Sequence, residues 1–204
     1  SNRGRPGRAC RGRGGPVPRP AGQGPRAVSA RMIGKVLPHV ATGRWLDIGF
    51  GNGALLFTAA EYGFEPVGVD LRRGNVETLR QLGIEAHCAP VETLRFAAPF
   101  DVVSMMDVLE HVPYPVVTLA AVRDSLAERG CVLLSMPNRE TLLWTLMTQQ
   151  NANPYLGEIE HYHNFGRTRL YALLRETGLE PLRYGISERY RACMEVVARK
   201  PDPR

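Results

Sequence analysis

Not one aspartate or glutamate occurs in the first 46 residues of this 204-residue chain, which hold ten arginines and lysines. Residues 47–204 carry 16 basic and 20 acidic side chains, so the formal net charge of +6 resides in the N-terminal tract and the remainder is mildly acidic. Lysine is nearly missing: Lys35 and Lys200 stand against 24 arginines, as a GC-rich coding bias would give. No apolar run nears the ~20 residues of a membrane-spanning helix. The N-terminus has no apolar stretch of the kind a secretory leader carries. Cysteine is scarce as well. Cys10, Cys88, Cys131 and Cys193 lie far apart, and none forms a CxxC or zinc-type spacing. The spacing predicts reduced thiols in a cytoplasmic protein.

What is present falls into two parts. "SNRGRPGRACRGRGGPVPRPAGQGPR" (residues 1–26) is arginine, glycine and proline with almost nothing to bury. Such a tract cannot offset its ordering entropy and is expected to be disordered. It resembles an RGG segment, which would make nucleic acid a partner, but a solvated tail is the simpler expectation. Residues 27–204 read as one domain. A short helix, "AVSARMIGKVL", ends at Pro38. Strands then alternate with helices: "RWLDIG", "GALLFTAAEYG", "PVGVD", "RGNVETLRQLG", "IEAHCA", "FDVVSMM", "PVVTLAAVRDSLAERG", "CVLLSM". After an interruption come the helix "RTRLYALLRETG" and two successive strands, "EPLRYGIS" and "RACMEVVARK". Gly63, Gly83, Gly130 and Gly178 each follow a helix, as a C-terminal cap would.

Such alternation implies parallel strands with right-handed crossovers. The last two strands have no helix between them and should pair antiparallel. The fold class is therefore α/β: a Rossmann-like, seven-stranded, mostly parallel sheet with an antiparallel last strand and helices on both faces. Residues 138–166 break the rhythm after the fifth strand. They are expected to form a helix from about Glu140 to Gln149 and then an irregular lid on the carboxyl side of the sheet, where ligands bind in open α/β folds. Trp144, Met147, Tyr155, Tyr162 and Phe165 in this insertion could line an acceptor pocket or simply pack on the sheet.

The first strand-to-helix turn, "LDIGFGNGA", fits two cofactors. Its glycines match the dinucleotide fingerprint G-x-G-x-x-G/A, and equally D-x-G-x-G-x-G. Asp47 decides between them. A carboxylate two residues before the first glycine would sit near a pyrophosphate dianion, which is unfavourable. S-adenosylmethionine (SAM) has an ammonium, a sulfonium and no phosphate, and would tolerate or use Asp47. Asp70, closing "PVGVD", lies 17 residues past Gly53 and can accept both ribose hydroxyl hydrogen bonds. Dinucleotide enzymes place an acid similarly, so Asp70 alone does not discriminate.

On these residues the chain resembles the class I SAM-dependent methyltransferases. "LDIGFGNG", "VGVD", "FDVVSMMDVLEHV" and "GCVLLSMPN" resemble that family's strand-end motifs. "EIEHYHNFGRTRLYALLRETGLEP" resembles the branch containing ubiquinone-biosynthesis O-methyltransferases. The resemblance covers about residues 28–200. It implies that Asp47 and the backbone of Gly49, Phe50 and Gly51 surround the methionine half of SAM, with Asn52 and Gly53 starting the helix beneath. It implies Asp70 on the ribose, Leu71 on the adenine face, Val91 or Glu92 at the adenine edge, and Met106 and Asp107 closing the methionine end. Relatives often carry an aspartate where Pro90 falls, so adenine contact would rest on its neighbours.

Asp107, Glu110 and His111 form D-x-x-E-H, a set that could hold a divalent metal. Some relatives of the ubiquinone branch resemble this arrangement and use a metal. So do small-RNA 3′-end methyltransferases, which add a later histidine for which His161 or His163 could stand in. An ordinary local motif without metal is the simpler expectation. His111, His161 and His163 are also candidates for a general base on a substrate hydroxyl. The resulting expectation is SAM-dependent O-methylation of a small molecule. Its rivals are metal-assisted RNA 3′-end methylation, NAD(P)-dependent oxidoreduction, and a SAM-binding pseudoenzyme.

Overall fold

The computed structural model describes residues 23–202. The tail expectation for residues 1–22 lies outside them. The expected boundary shifts: residues 23–26 open the first helix, α1 (Gln23–Val36), rather than closing a disordered tract. The remaining elements follow in the order β1 (Gly43–Ile48), α2 (Ala54–Glu61), β2 (Phe64–Val69), α3 (Arg73–Gln81), β3 (Glu85–His87), β4 (Phe100–Met106), α4 (Pro115–Ser125), β5 (Leu126–Pro137), α5 (Leu142–Gln149), α6 (Arg167–Glu176), β6 (Glu180–Ile186) and β7 (Cys193–Arg199).

The seven strands lie in the order β3-β2-β1-β4-β5-β7-β6. β1 pairs in parallel with β2 and β4, and β4 in parallel with β5. β7 runs antiparallel to both its neighbours. Strand residues alternate between faces, so Trp45 and Leu46 enter different cores. α1, α2 and α3 cover one face through Met32, Ile33, Leu56 and Leu79. α4 and α6 cover the other through Leu119, Val122, Leu170 and Leu174. Both faces being buried explains the near-continuous apolar runs of the central strands. Chain order reverses between β1 and β4, and a crevice opens beyond their carboxyl ends.

One boundary differs from the expectation. The helix read through "SLAERG" stops at Ser125, and β5 begins at Leu126. Leu126 would complete the helix's apolar stripe, but it reaches the same core from an extended backbone, φ −78° and ψ 140°. Gly130 is therefore no helix cap. A Cβ there would lie 3.0 Å from the carbonyl oxygens of Ala127 and Phe100, so glycine permits a close backbone crossing. Gly63, Gly83 and Gly178 do take the left-handed conformation after α2, α3 and α6.

α1 is tied to the far edge of the sheet by charge. Lys35 reaches the fully buried side chain of Glu195 on β7, and also lies 3.2 Å from Glu188. Arg31 Nε donates to Glu188 at 2.8 Å. Glu195 also accepts the Glu188 backbone N–H at 2.7 Å, so it fixes both α1 and the β6–β7 turn. Removing one partner strands a buried charge. Glu195→Ala is expected to destabilise the protein by about 3 kcal/mol, read as a lower denaturant midpoint at unchanged slope.

Candidate active site

Two cavities meet at the switch point, of about 800 and 630 Å3, and share Gly49, Arg72 and Asp107. The first is walled by the glycine turn, Asp47, Met106, the start of α1 and the β6–β7 turn. The second is walled by Asp70, Leu71, the segment Ala89–Glu92, Val108 and His111. Of the twelve cofactor residues expected from sequence, eleven line one cavity or both; Gly53 lies behind the turn.

The turn's shape depends on glycine. Gly49 and Gly51 have φ of +70° and +62°. A Cβ on Gly49 would come within 2.5 Å of Val108 Cγ2. Phe50 buries its ring against Gly68, leaving its backbone to face the cavity. Asn52 Oδ1 accepts the Ala54 N–H at 3.2 Å and so starts α2.

Asp47 is 3% exposed, and its Oδ1 accepts the Ser104 hydroxyl hydrogen at 2.6 Å. Ser104 is its register partner on β4. Burial pushes the Asp47 carboxyl up to about 7 against the pull of Ser104 and Arg189. Asp70 has the opposite balance. It too is buried, but hydrogen bonds from Arg72, Asn75 and the Gly51 N–H outweigh desolvation and hold it below its ordinary value. Leu71 is exposed at the cavity mouth, Val91 is buried in its wall, and the Glu92 carboxylate accepts the Thr118 hydroxyl hydrogen.

Asp107 ends β4 in a left-handed conformation, φ 56°. Its N–H donates to the Ser135 carbonyl at 2.8 Å, Oδ1 accepts from Ser135 Oγ at 3.0 Å, and Oδ2 lies 3.1 Å from Arg189 Nη1. The strained backbone turns its carboxylate back into the cleft.

Beyond it the chain makes a single helical turn, Leu109–His111. Glu110 is 1% exposed, and neither carboxylate oxygen has a hydrogen-bond partner among the described residues. Burial pushes its carboxyl up to about 8, with Asp107 adding to the shift. His111 and His161 meet edge to face with ring centroids 4.6 Å apart. His111 Nδ1 lies 3.0 Å from the Glu160 carbonyl, which can only accept, so Nδ1 is the donor and Nε2 is the nitrogen without a hydrogen whenever the ring is neutral. His161 is held below its ordinary value by burial and by His111.

Glu110, His111 and His161 each offer one ligand atom, all within 4.8 Å of one another. A carboxylate oxygen and two imidazole nitrogens suit a divalent transition ion better than magnesium. Of the D-x-x-E-H set, Glu110 and His111 take part while Asp107 stands apart, held by Ser135 and Arg189, and His161 is the later histidine that joins them. His163 does not join. Its Nε2 lies 3.4 Å from the Pro113 carbonyl and its N–H donates to the Glu110 carbonyl, so it fastens the lid to the turn.

In the lid, Thr141 Oγ1 caps α5 by accepting the Trp144 N–H at 3.1 Å. Trp144, Tyr155 and His161 stack in a column, with centroids 5.6 and 6.3 Å apart. Trp144 and Tyr155 thus back His161, Phe165 packs into the core, Tyr162 is exposed, and none of these aromatics lines either cavity. Sequence reasoning missed Ser104, Arg72, Asn75, Arg189, Tyr190 and the pocket-facing residues of α1. Only Ser104 had a signal, since β4 beside β1 sets a residue opposite Asp47.

A family model described as a methyltransferase domain matches residues 24–184. The ubiquinone biosynthesis O-methyltransferase of Nitrosococcus oceani is 31% identical over 171 residues, covering 75% of this chain and 72% of that protein. The same-named protein of Idiomarina loihiensis is 35% identical over 109 residues, and the match spans 50% of this chain and 45% of that protein. Magnesium protoporphyrin IX methyltransferase from Synechocystis, solved with S-adenosylhomocysteine (SAH), superposes with a TM-score of 0.68 at 17% identity, covering 86% and 83% of the two chains. These comparisons lend no support to the dehydrogenase, RNA 3′-end or pseudoenzyme readings. Among the described residues, no helix is long and apolar enough to cross a membrane.

Proposed function

The chain belongs to the methyltransferase-domain family and its cofactor is SAM; on that premise we propose that it transfers the sulfonium methyl group to a hydroxyl oxygen of a small-molecule acceptor. One observation carries the reading. The cofactor cleft carries His111 on its wall near Asp107, and behind it His111 packs edge to face on His161 and lies close to the buried Glu110. A thiolate or an unprotonated amine needs no such base; an un-ionised hydroxyl does. The names of the relatives support oxygen as the target.

Bound SAM would supply an activated methyl group, which the acceptor oxygen would take in line with the carbon–sulfur bond, the electron pair of that bond returning to sulfur to leave SAH as a neutral thioether. The hydroxyl proton passes to His111 Nε2, the nitrogen its tautomer leaves free. His161 and the Tyr155–Trp144 stack hold the ring in place. Alignment of oxygen, carbon and sulfur supplies most of the acceleration. Glu110, His111 and His161 are the residues that would hold a divalent ion, and such an ion would supply Lewis-acid activation of the same hydroxyl. Among the described residues, the separated free thiols of Cys88, Cys131 and Cys193 suit a reducing compartment such as the cytoplasm.

His111→Ala is expected to lower kcat by about 100- to 10,000-fold on an alcohol or ordinary phenol, with SAH affinity unchanged. A strongly acidic phenol, already ionised at the assay pH, should recover most of the loss. Near-normal turnover of both His111→Ala and His161→Ala on un-ionised acceptors would remove the base from the account.

A further inference from the structure

The methionine-side cavity holds a charge that the sequence motifs do not explain. Its wall carries three acids, Asp47, Asp107 and Glu188, and two arginines, Arg72 and Arg189. Most of these are committed. Arg72 donates to both oxygens of Asp70. Glu188 is drawn away by Arg31 and Lys35. Asp47, Asp107 and Arg189 remain.

Arg189 comes from the β6–β7 turn and is half-exposed. Its Nη1 is 3.1 Å from Asp107 Oδ2, and its guanidinium sits over the Tyr190 ring, 5.3 Å from the centroid. No hydrogen bond from its guanidinium is formed among the described residues, so a planar fork of donors faces the cavity with one loose ion pair. The turn is not slack. Glu195 fixes it through the Glu188 N–H, and Lys35 and Arg31 clamp it to α1. Ser187 Oγ accepts the Arg189 N–H at 3.1 Å. The arginine is therefore mounted on a rigid bracket whose other face, α1, lines the same cavity.

The methionine half of the cofactor is a zwitterion, with one ammonium and one carboxylate on a single carbon. A pocket lined by acids alone would accept the first and repel the second. We propose that Arg189 is the residue that binds the cofactor's α-carboxylate, with Asp107 released to face the ammonium. The zwitterion then enters between two groups that pair with each other in its absence, and one ion pair is exchanged for two. A guanidinium suits this work because its donors match a carboxylate two at a time. The assignment rests on the cofactor reading above.

Two ligands test it: SAH, and the SAH analogue that has a 3-aminopropyl thioether and so lacks only the carboxylate. Calorimetry on the wild type should show SAH binding about 10- to 100-fold tighter than the analogue. In Arg189→Met, SAH should weaken by that factor while the analogue changes less than about twofold, erasing the preference. A merely structural role for the turn would weaken both ligands together, and that result overturns the assignment. So does a variant that keeps wild-type preference for SAH, including one whose acceptor KM alone rises, which would give Arg189 to an acceptor anion. A wild type that binds neither ligand would overturn the cofactor reading along with it.

Discussion

Asp70→Ala is expected to weaken SAH binding by at least about 100-fold, the loss of two charge-assisted hydrogen bonds. The site explains why so small a change should matter so much. Asp70 stands at the end of β2, 4% exposed, where its carboxylate gathers the Arg72 and Gly51 N–H groups, the Arg72 guanidinium and the Asn75 amide. Alanine removes the acceptor for the ribose hydroxyls and also frees Gly51, whose turn must stay close to the methionine half. Asp70→Asn separates the two effects. It retains an oxygen for the Gly51 N–H but loses the charge, and should fall between wild type and alanine. Because hydrogen bonds hold the Asp70 carboxyl below its ordinary value, the acid contributes stability above the unfolded carboxylate range that is lost as pH falls through its folded value. Calorimetric titration of the folded variants with SAH is the check; equal affinity for alanine variant and wild type would contradict the ribose assignment.

The second large effect is a pH dependence of cofactor affinity. Burial lifts the Asp47 carboxyl to about 7, yet only its anion attracts the cofactor's cationic end. Affinity for SAM should therefore rise with pH, by up to about tenfold per unit below 7, and flatten above it. Asp47→Asn keeps an acceptor for the Ser104 hydroxyl but should bind weakly with no such slope. The free protein should show the reverse trend in stability. Asp47 and Glu110, at about 7 and about 8, each hold a proton in the folded chain that the unfolded chain releases near pH 4. Their contribution falls as pH rises from there through 7 and 8, and saturating SAM should offset the Asp47 part. Melting curves from pH 5 to 9, with and without cofactor, test both signs. A pH-independent SAM affinity would show that Asp47 does not face the cation.

The parts of this site that were legible in the sequence are those encoded locally. Asp47, Gly49 and Gly51 lie within one strand-turn-helix, where glycine spacing and a preceding acid reveal a close approach. Asp70 follows by one further strand. The antiparallel last strand was readable because no helix separates "EPLRYGIS" from "RACMEVVARK". What escaped depends on strand order and on burial. Arg189 sits 82 residues beyond Asp107 in the chain, yet β7 lies beside β5, and the turn before it falls against the end of β4. Glu110 was visible as a carboxylate beside a histidine. That its carboxylate has no hydrogen-bond partner among the described residues follows from how the chain packs around it. Asp107 was grouped with Glu110 and His111 by spacing alone, but its left-handed backbone turns it toward Ser135 and Arg189. The end of α4 was misplaced because Leu126 satisfies the same core from either conformation.

Methyl transfer to oxygen is tested most directly by the fate of a labelled methyl group. SAM carrying a 13C methyl would be incubated with the protein and an extract of small molecules, and the labelled product examined by NMR and mass spectrometry. Transfer to oxygen gives stoichiometric SAH and a 13C signal at the chemical shift of a methyl ether or ester, lost in His111→Ala. Label on nitrogen, carbon or sulfur, or SAM that binds and is returned unchanged, would contradict it.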